Sequence, residues 1–385
     1  MQKRIPAVLM RGGTSKGVFF HDRHLPRDQE VRDRVILAAY GSPDPNRRQI
    51  DGLGGAVSVT SKTAIISPSP DPAFDVVYNF GQVAIDRPMV EYKGNCGNIS
   101  AAVGPFAVDE GLVRAVEPIT RVRIKQLNTD KLIVAEVPVR DGGHDEEGDY
   151  AIDGVPGTGG RITLHFMDPA GSMTGRLLPT GHPRDEIEVP GLGRITVSFV
   201  DAANPVVFVR AETLGLKGTE IQEIDAGAAL RAKLEAIRSQ AAVILGLAET
   251  PEEATARSQA VPKIALVSPP RDYVDLGGRP IPSGQVDLVV RIMSMGTLHK
   301  AYAVTGAICT AGAAKIEGSV VNQVLREEAH DRVEIRLGHP GGRLTPGAVM
   351  SKKDGQFHYE KAIIGRTARR LMEGHVLVPA RHFQT

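Results

Sequence analysis

Short apolar stretches, separated by Gly, Pro and Asp, dominate the hydrophobic pattern of the chain. Most are rich in β-branched residues and too short for helices, which is typical of strands. The predicted strands lie at residues 57–61, 76–80, 121–126, 132–139, 195–200, 206–210, 264–268, 286–293, 332–337 and 362–364. This pattern indicates a fold of many short strands in which helices are the minority.

Helical periodicity is confined to a few segments. Residues 28–39 carry their apolar side chains on one stripe and end at Gly41, and residues 225–247 repeat the pattern over a greater length. A further helix is predicted to begin at Pro251. Together with the strands, these segments indicate an α+β fold.

The segment after Cys96 predicts a small, apolar helix. Gly111 supplies a stop signal, and Pro105 predicts a kink near the far end. The residues that share one helical face are Ile99, Ala102, Val103, Phe106 and Ala107.

The chain also contains a weak internal repeat around this helix. A shift of 209 residues aligns GNCGNISAA (94–102) with AVTGAICTA (303–311). Gly97 then matches Gly306, and Cys96 matches Thr305 rather than the second cysteine. We therefore expect two related domains, each with one small-residue helix whose N-terminus faces a shared cleft.

Composition excludes several classes of function. The formal net charge is +1, so no electrostatic excess favours nucleic acid or an anionic membrane surface. Two cysteines cannot form a disulfide framework, and no stretch reaches 18 apolar residues. The 11 histidines show no metal-ligand spacing. We expect a cytoplasmic protein without a metal or organic cofactor, whose partner is a small molecule.

Cys96 lies between two Gly-Asn steps at the predicted start of its helix. A helix N-terminus carries partial positive charge, which binds carboxylates and stabilises a thiolate. A lone cysteine is often a small core residue instead. The flanking glycines and asparagines favour a reactive thiol, because a core position seldom requires them.

The run RGGTSKG (11–17) has the wrong residue order for a phosphate-binding loop. As a simple turn it would be unremarkable, whereas its exposed amides and polar side chains would also suit a carboxylate. The candidate carboxylate clamp comprises Arg11, Gly12, Gly13, Thr14, Ser15 and Lys16.

Six runs, in chain order, resemble a known family. They are MRGGTSKGVFF (10–20), GSPDPNRRQIDGLGGAVSVTSKTAII (41–66), GNCGNISAAVG (94–104), PTG (179–181), SMGTLHKA (294–301) and GHPGG (338–342). They resemble the methylaconitate isomerase family, which includes 2-methylaconitate cis-trans isomerases, 4-oxalomesaconate tautomerases and methylitaconate isomerases. The segment EEGDYAIDGV (146–155) looks closest to the 2-methylaconitate branch.

The resemblance implies a diaminopimelate epimerase-like fold. In that fold two pseudo-symmetric domains each wrap a β-barrel-like sheet around a central helix, and the active site lies in the cleft between them. We therefore place the first domain at residues 1–187 and the second at 188–369. A C-terminal strand at about 370–385 is expected to return to the first domain.

The resemblance also implies a catalytic pair, Lys62 and Cys96, with no cofactor. Lys62 is the favoured base, but the roles of the two could be reversed. Lys62 belongs to a Ser-Lys step between apolar residues, where partial burial would favour the neutral amine. Thr305 at the position of a second cysteine argues against two-thiol racemisation. Besides the clamp, the expected substrate-binding residues are Ser61, Asn95, Gly97, Asn98, Met295, His299, Thr305, Gly306, His339 and Gly341.

The implied activity is isomerisation of an unsaturated tricarboxylic acid through a dienolate. The first candidate is 2-methylaconitate or aconitate cis-trans isomerisation in propionate catabolism, with 4-oxalomesaconate tautomerase and methylitaconate isomerase as alternatives. A function of another class stays open, a non-catalytic accessory partner of a methylcitrate dehydratase. A homodimer and a functional pairing with a dehydratase are compatible with the sequence.

Overall fold

The structure is a computed structural model that describes residues 1–384. The helices are α1 (Gln29–Tyr40), α2 (Gly97–Asp109), α3 (Gln222–Ala226), α4 (Ala228–Ile244), α5 (Pro251–Arg257) and α6 (Val304–Lys315). The strands are β1 (Gln2–Gly12), β2 (Ser15–His21), β3 (Lys62–Pro68), β4 (Val76–Val83), β5 (Val90–Glu91), β6 (Ile119–Gln126), β7 (Lys131–Arg140), β8 (Gly143–His144), β9 (Ile162–Met167), β10 (Asp185–Val189), β11 (Gly193–Ala202), β12 (Asn204–Arg210), β13 (Lys263–Ser268), β14 (Tyr273–Val274), β15 (Pro280–Ile281), β16 (Leu288–Ser294), β17 (Thr297–Leu298), β18 (Leu337–His339), β19 (Gly342–Leu344), β20 (Gly347–Lys353), β21 (Gln356–Arg366) and β22 (Ala368–Pro379).

The chain divides into two compact units. The first comprises Met1–Leu164 and the chain from Gly365 onward, and the second comprises His165–Ile364. Strand β9 leads out of the first unit and β21 leads back into it. The division expected from the sequence lies further along the chain, at residue 187. Strand β22, in the region expected to return, belongs to the first unit.

In the first unit one sheet wraps around helix α2. The strand order is β7-β6-β4-β3-β2-β1-β22, with β5 beside β4 and β8 beside β7. Helix α2 packs against β1, β2, β3, β6, β7, β8 and β22. It is buried from Gly97 to Val108, and Pro105 lies within it without ending it. Its small side chains allow this enclosure, because they let the strands approach on all sides.

Helix α1 covers another face of the same sheet. Its buried residues Val35, Ile36 and Tyr40 pack with β-strand residues of β1, β2 and β22 in one apolar cluster. Asp28 caps the helix by accepting a hydrogen bond from the Val31 amide at 2.9 Å, and Gly41 ends it in a left-handed conformation. The predicted boundaries of this helix therefore agree with the structure to within one residue.

The second unit repeats the plan with helix α6. Its main sheet has the order β10-β11-β12-β13-β16-β18-β19, with β17 beside β16. Helix α6 is buried from Val304 to Ala314 and packs against β11, β12 and β20. The hydroxyl of buried Tyr359 donates to the Ile308 carbonyl at 2.9 Å, which fixes the helix to β21.

Four local predictions differ from the structure. Of the strand expected at 332–337, only Leu337 lies in a strand, β18. The helix expected at 225–247 is two helices, α3 and α4, interrupted at Gly227, whose ψ of 88° is not helical. Residues 57–61 form a turn instead of a strand, because Ala56 has a positive φ of 63° and the Thr60 amide donates to the Val57 carbonyl. Helix α6 has Ala303 at its N-cap, so Thr305 lies inside the first turn.

Among residues 1–384, no helix has both the length and the apolar character needed to cross a membrane.

A substitution at Gly104 tests how tightly the sheet packs around α2. A Cβ at this position would lie 2.7 Å from Val137 Cγ2 and 3.0 Å from Ala135 Cβ, both on β7. Gly104→Val should therefore lower the free energy of unfolding by about 1–3 kcal/mol through overpacking. Chemical denaturation would measure the change. The matched control is Gly143→Val, where the added Cβ meets only Asp109 Oδ1 at 3.6 Å; equal losses in both variants would contradict the packing account.

Candidate active site

The β1–β2 hairpin rests directly on the first turn of α2. Gly12 pairs with Ser15, so Gly13 and Thr14 form the tip. A Cβ on Gly12 would lie 2.4 Å from the Asn98 carbonyl oxygen, and one on Gly13 would lie 2.2 Å from Asn98 Oδ1. Gly13 also has a φ of +50°. Both positions therefore require glycine, because any side chain would separate the hairpin from the helix.

Asn98 joins the hairpin to a distant arginine. Its side-chain oxygen accepts hydrogen bonds from the Thr14 amide at 3.3 Å and from Arg366 Nε at 3.2 Å. Arg11 holds the other side of the tip, donating to the carbonyls of Gly13 and Thr367 at 3.0 Å each. Four of the predicted binding residues thus meet at the start of α2.

Arg366 is a fully buried cation with no carboxylate partner among the described residues. Within residues 1–384 its guanidinium donates to Asn98 Oδ1 at 3.2 Å and to the Gly365 carbonyl at 3.1 Å. Burial lowers the pKa of Arg366 to about 10, and the nearby Tyr150 opposes this shift. An unpaired buried charge is costly, and the remaining donors suit a carboxylate ligand.

Two hydroxyl groups of the hairpin lack partners. Ser15 is 2% exposed, and neither its Oγ nor Thr14 Oγ1 has a hydrogen-bond partner in the described part of the chain. Buried hydroxyls are normally satisfied, so these two are available to bond the oxygen atoms of a ligand. Oxygen atoms of a bound acid would satisfy both.

Cys96 occupies the N-cap of α2. No described side chain caps this end, and no acidic residue lies in the first turn. Ser100 instead donates from its amide and its hydroxyl to the Cys96 carbonyl, at 2.9 and 3.0 Å. The thiol is partly exposed. The end of the helix dipole is therefore available to an anion beside the sulfur.

Tyr78 lies next to this cysteine. Burial raises the pKa of Tyr78 well above its usual value, and the charge of Cys96 adds to the shift. Ser100 is near enough to oppose it, but its hydroxyl is directed to the Cys96 carbonyl and to Asn95 Oδ1 at 3.2 Å. The phenol therefore stays protonated, and no described residue meets its oxygen at hydrogen-bonding geometry.

Lys62 begins β3 and is buried. Its Nζ donates to Gln82 Oε1 at 2.5 Å and lies 5.2 Å from the centre of the Phe80 ring. Gln82 is itself fixed, because its Nε2 donates to the carbonyls of Ser61 at 2.9 Å and Ser58 at 3.2 Å. The amine is held by a neutral acceptor, without a carboxylate at ion-pair distance in residues 1–384.

Gly17 connects Lys62 to α2. It pairs with Lys62 in the parallel β2–β3 ladder. A Cβ at Gly17 would lie 2.3 Å from the Lys62 carbonyl oxygen and 3.3 Å from Ile99 Cδ1. The strand that carries Lys62 and the first turn of α2 thus flank the same glycine.

Ser61 has a structural partner. Its hydroxyl is buried and donates to Gln49 Oε1 at 2.6 Å, which also accepts from the Ala56 amide. Lys16 lies beside the same turn and bonds the Val59 carbonyl through its amide. These contacts shape the loop before Lys62, and the role of Ser61 in substrate binding stays a prediction.

The candidates of the second unit form separate groups. Thr305 Oγ1 accepts from Asn204 Nδ2 at 3.1 Å in the first turn of α6. A Cβ on Gly306 would lie 2.5 Å from Ile292 Cδ1, so this glycine is needed for packing. His339 Nδ1 accepts from the Gly341 amide at 3.1 Å. His299 is buried and bonds the Ile292 carbonyl through its amide.

Met295 lies apart from these groups. It has a φ of 53° in the tight turn between β16 and β17. It lines a cavity of about 250 Å³ with residues of α4 and α5, among them Arg231, Glu235 and Arg238. No other predicted site residue of the described chain lines that cavity. The substrate contacts of the second-unit candidates stay a prediction.

Sequence reasoning missed Arg366, Gln82 and Tyr78. An arginine directly after an apolar strand, as in AIIGR (362–366), was the available signal for the first. Gln82 and Tyr78 carry no local signal, because their roles arise from cross-strand pairing and helix packing. Among residues 1–384, no cluster of three His, Cys, Asp or Glu side chains fits a metal ion.

Comparison with known proteins places this geometry in context. Residues 2–379 match the family described as PrpF protein. The chain belongs to this family. It is 52% identical to a 3-methylitaconate isomerase of Eubacterium barkeri over 98% of both chains. It is 44% identical to a 2-methyl-aconitate isomerase of Shewanella oneidensis, again over 98% of both. The family resemblance seen in the sequence is thereby confirmed, and the protein is an isomerase.

Solved structures confirm the predicted fold class. A methylitaconate-delta-isomerase superposes with a TM-score of 0.81 at 50% identity, covering 100% of this chain and 98% of the other. A hydroxyproline epimerase from Agrobacterium vitis superposes with a TM-score of 0.55 at 13% identity over 98% of this PrpF family chain and 94% of its own. That likeness supports the epimerase-type fold alone.

The Gln82 contact predicts a change in pH dependence. Gln82→Glu places a carboxylate on Lys62, so the amine keeps its proton to higher pH. If Lys62 is the base, the acidic limb of the kcat profile should move to higher pH. Gln82→Met should move it the other way.

The control for these profiles is Gln222→Glu, an exposed glutamine at the start of α3. A Gln82→Glu enzyme with an unshifted profile and an unchanged melting temperature would contradict a catalytic amine at this position.

Proposed function

We propose that this PrpF family protein isomerises unsaturated di- or tricarboxylic acids by cofactor-independent allylic proton transfer. The observation that supports this most is the buried Arg366, unpaired and bonded to Asn98 in the first turn of α2. Cys96 begins the same turn, which puts a proton-transfer group beside a carboxylate site. The named activities of the two relatives agree with this chemistry.

The reaction would proceed in two balanced proton transfers. A base removes a proton from the allylic carbon, and the C–H electron pair spreads through the double bond into a carboxylate as a dienolate. The former double bond gains single-bond character and can rotate. Return of a proton to the same carbon gives cis-trans isomerisation, whereas return to the other end of the allyl system moves the double bond.

Each group has a distinct task in this scheme. Lys62 acts as the base, held by Gln82. Cys96 acts as the proton donor, and the dipole of α2 stabilises its thiolate afterwards. Arg366 and the free hydroxyls of Thr14 and Ser15 hold the carboxylate in which negative charge develops.

The first candidate substrate is 2-methylaconitate or aconitate, interconverted between cis and trans forms. Methylitaconate isomerisation is the second, favoured by the 52% identity to a 3-methylitaconate isomerase. 4-Oxalomesaconate tautomerisation uses the same proton transfer. A panel of these acids in heavy water, followed by NMR, would identify the substrate. Folded protein that exchanges no proton of any of them would favour an accessory binding role instead.

Removal of either catalytic group should nearly abolish turnover. Lys62→Met and Cys96→Ser are each expected to reduce kcat by about 100- to 10,000-fold, the usual contribution of one general acid or base. The NMR assay measures the loss. The control is Cys309→Ser, because Cys309 is buried in α6 and its thiol donates to the Val200 carbonyl, away from the candidate site. Near-normal turnover in Lys62→Met would disprove the assigned pair.

Arg366 should act mainly through substrate affinity. Arg366→Met removes charged hydrogen bonds, so KM should rise by roughly 10- to 150-fold. Steady-state kinetics with a competitive dicarboxylate measures binding separately from turnover. Arg366→Lys, which keeps the charge, should lose less, and the exposed Arg121→Met should lose nothing. A stable Arg366→Met protein with normal KM would exclude this carboxylate site.

The proposal also covers the functional partner, the location and the oligomeric state of the protein. An unsaturated acid of this type arises when a dehydratase removes water from a hydroxy acid, so a functional pairing with such an enzyme is proposed. A cytoplasmic location follows from the same metabolic role. We also propose a homodimer.

A further inference from the structure

We propose that strand β22 is a self-complementary edge through which two copies of this chain pair. The proposal specifies the surface of the homodimer, and it does not depend on the reaction or on the substrate.

Strand β22 lies at the end of its sheet. Among the described residues it pairs with β1 alone, antiparallel, from Gln2 opposite Pro379 to Gly12 opposite Ala368. One row of its backbone N–H and C=O groups therefore has no strand to bond. Such an edge is a ready template for another strand unless it is blocked.

The cations that would block such an edge, Arg369 and Arg370, lie only at its start. Three apolar side chains of this strand are exposed: Leu371 at 42%, Met372 at 45% and Leu377 at 51%. Exposed apolar residues on an edge strand favour association with another strand. The irregularity in the ladder falls between Leu9 and Met10, which leaves Leu371 without a partner in β1. From Met372 to Pro379 the ladder is regular. A proline ends the strand but none interrupts it.

The sequence of the edge reads symmetrically about Gly374. The segment is Leu-Met-Glu-Gly-His-Val-Leu, residues 371–377. In an antiparallel pair centred on Gly374, Glu373 of each copy lies opposite His375 of the other. Leu371 lies opposite Leu377, and Met372 lies opposite Val376. A carboxylate thus meets an imidazole that can donate a hydrogen bond to it, and apolar meets apolar in the two flanking pairs, on both sides of the two-fold axis.

The centre of this pair has the space that a crossing of two strands needs. A Cβ added to Gly374 would meet nothing within 4 Å, so no side chain obstructs the axis. Glu373 accepts one hydrogen bond from Arg370 at 2.8 Å, yet 72% of its side chain is exposed. It can bond His375 of a second copy without losing its own arginine.

A charge-reversal series tests the pairing and its register. Sedimentation velocity should show a dimer for the wild type. Glu373→Lys and His375→Glu should each weaken the dimer by roughly tenfold or more: the first removes the carboxylate that would accept from the imidazole, and the second places two carboxylates opposite each other in both symmetric pairs. The double variant Glu373→Lys/His375→Glu restores opposite charges, so its dissociation constant should return to within a few fold of the wild type.

Glu317→Lys is the matched control, since it reverses an acidic side chain that is 86% exposed in the other unit. Melting temperatures of all variants establish that they fold. The proposal would be overturned if the wild type stayed monomeric at a concentration about 100-fold above micromolar. It would also be overturned if neither single substitution changed the dissociation constant of the dimer. A monomer that still isomerises its substrate would refute this interface and leave the proposed reaction intact.

Discussion

The contact between the Gly12–Gly13 backbone and Asn98 is the constraint on which the candidate site depends. Van der Waals repulsion forbids a side chain at either glycine while the hairpin rests on the helix. That single approach brings the Thr14 amide and the Arg366 guanidinium to one amide oxygen. It also places two unsatisfied hydroxyls at the same turn that begins with Cys96.

The site is built from groups that the folded chain leaves unsatisfied. A buried cation and buried hydroxyls without partners reduce the stability of the free protein, since desolvation is not offset by internal bonds. In the proposed reaction a carboxylate of the substrate would offset that cost, so the groups that lower the stability of the free protein would contribute to substrate affinity. Lys62 differs from these groups, because its amine has a hydrogen-bond partner within the fold. That partner, the Gln82 side chain, is neutral and adds no negative charge.

Local patterns predicted those parts of the structure that depend on neighbouring residues. The stripe and caps of α1 and the position of Cys96 at a helix start both follow from a few consecutive residues. The turn before Lys62 was missed because it depends on Gln49, whose side chain bonds Ser61 and the Ala56 amide. Arg366 was missed because its partner lies 268 residues away in the chain. Long-range pairing of polar groups leaves no periodic signal in a sequence.

The order of synthesis separates β1 from one of the two strands that it pairs with. This strand is synthesised well before its partner β22, because the whole second unit lies between them in the chain. During synthesis, the edge of β1 that later pairs with β22 therefore stays unpaired while some 350 residues emerge from the ribosome. Its polar outer end, Gln2–Arg4, carries two cations, and repulsion between such ends would keep nascent chains from joining prematurely.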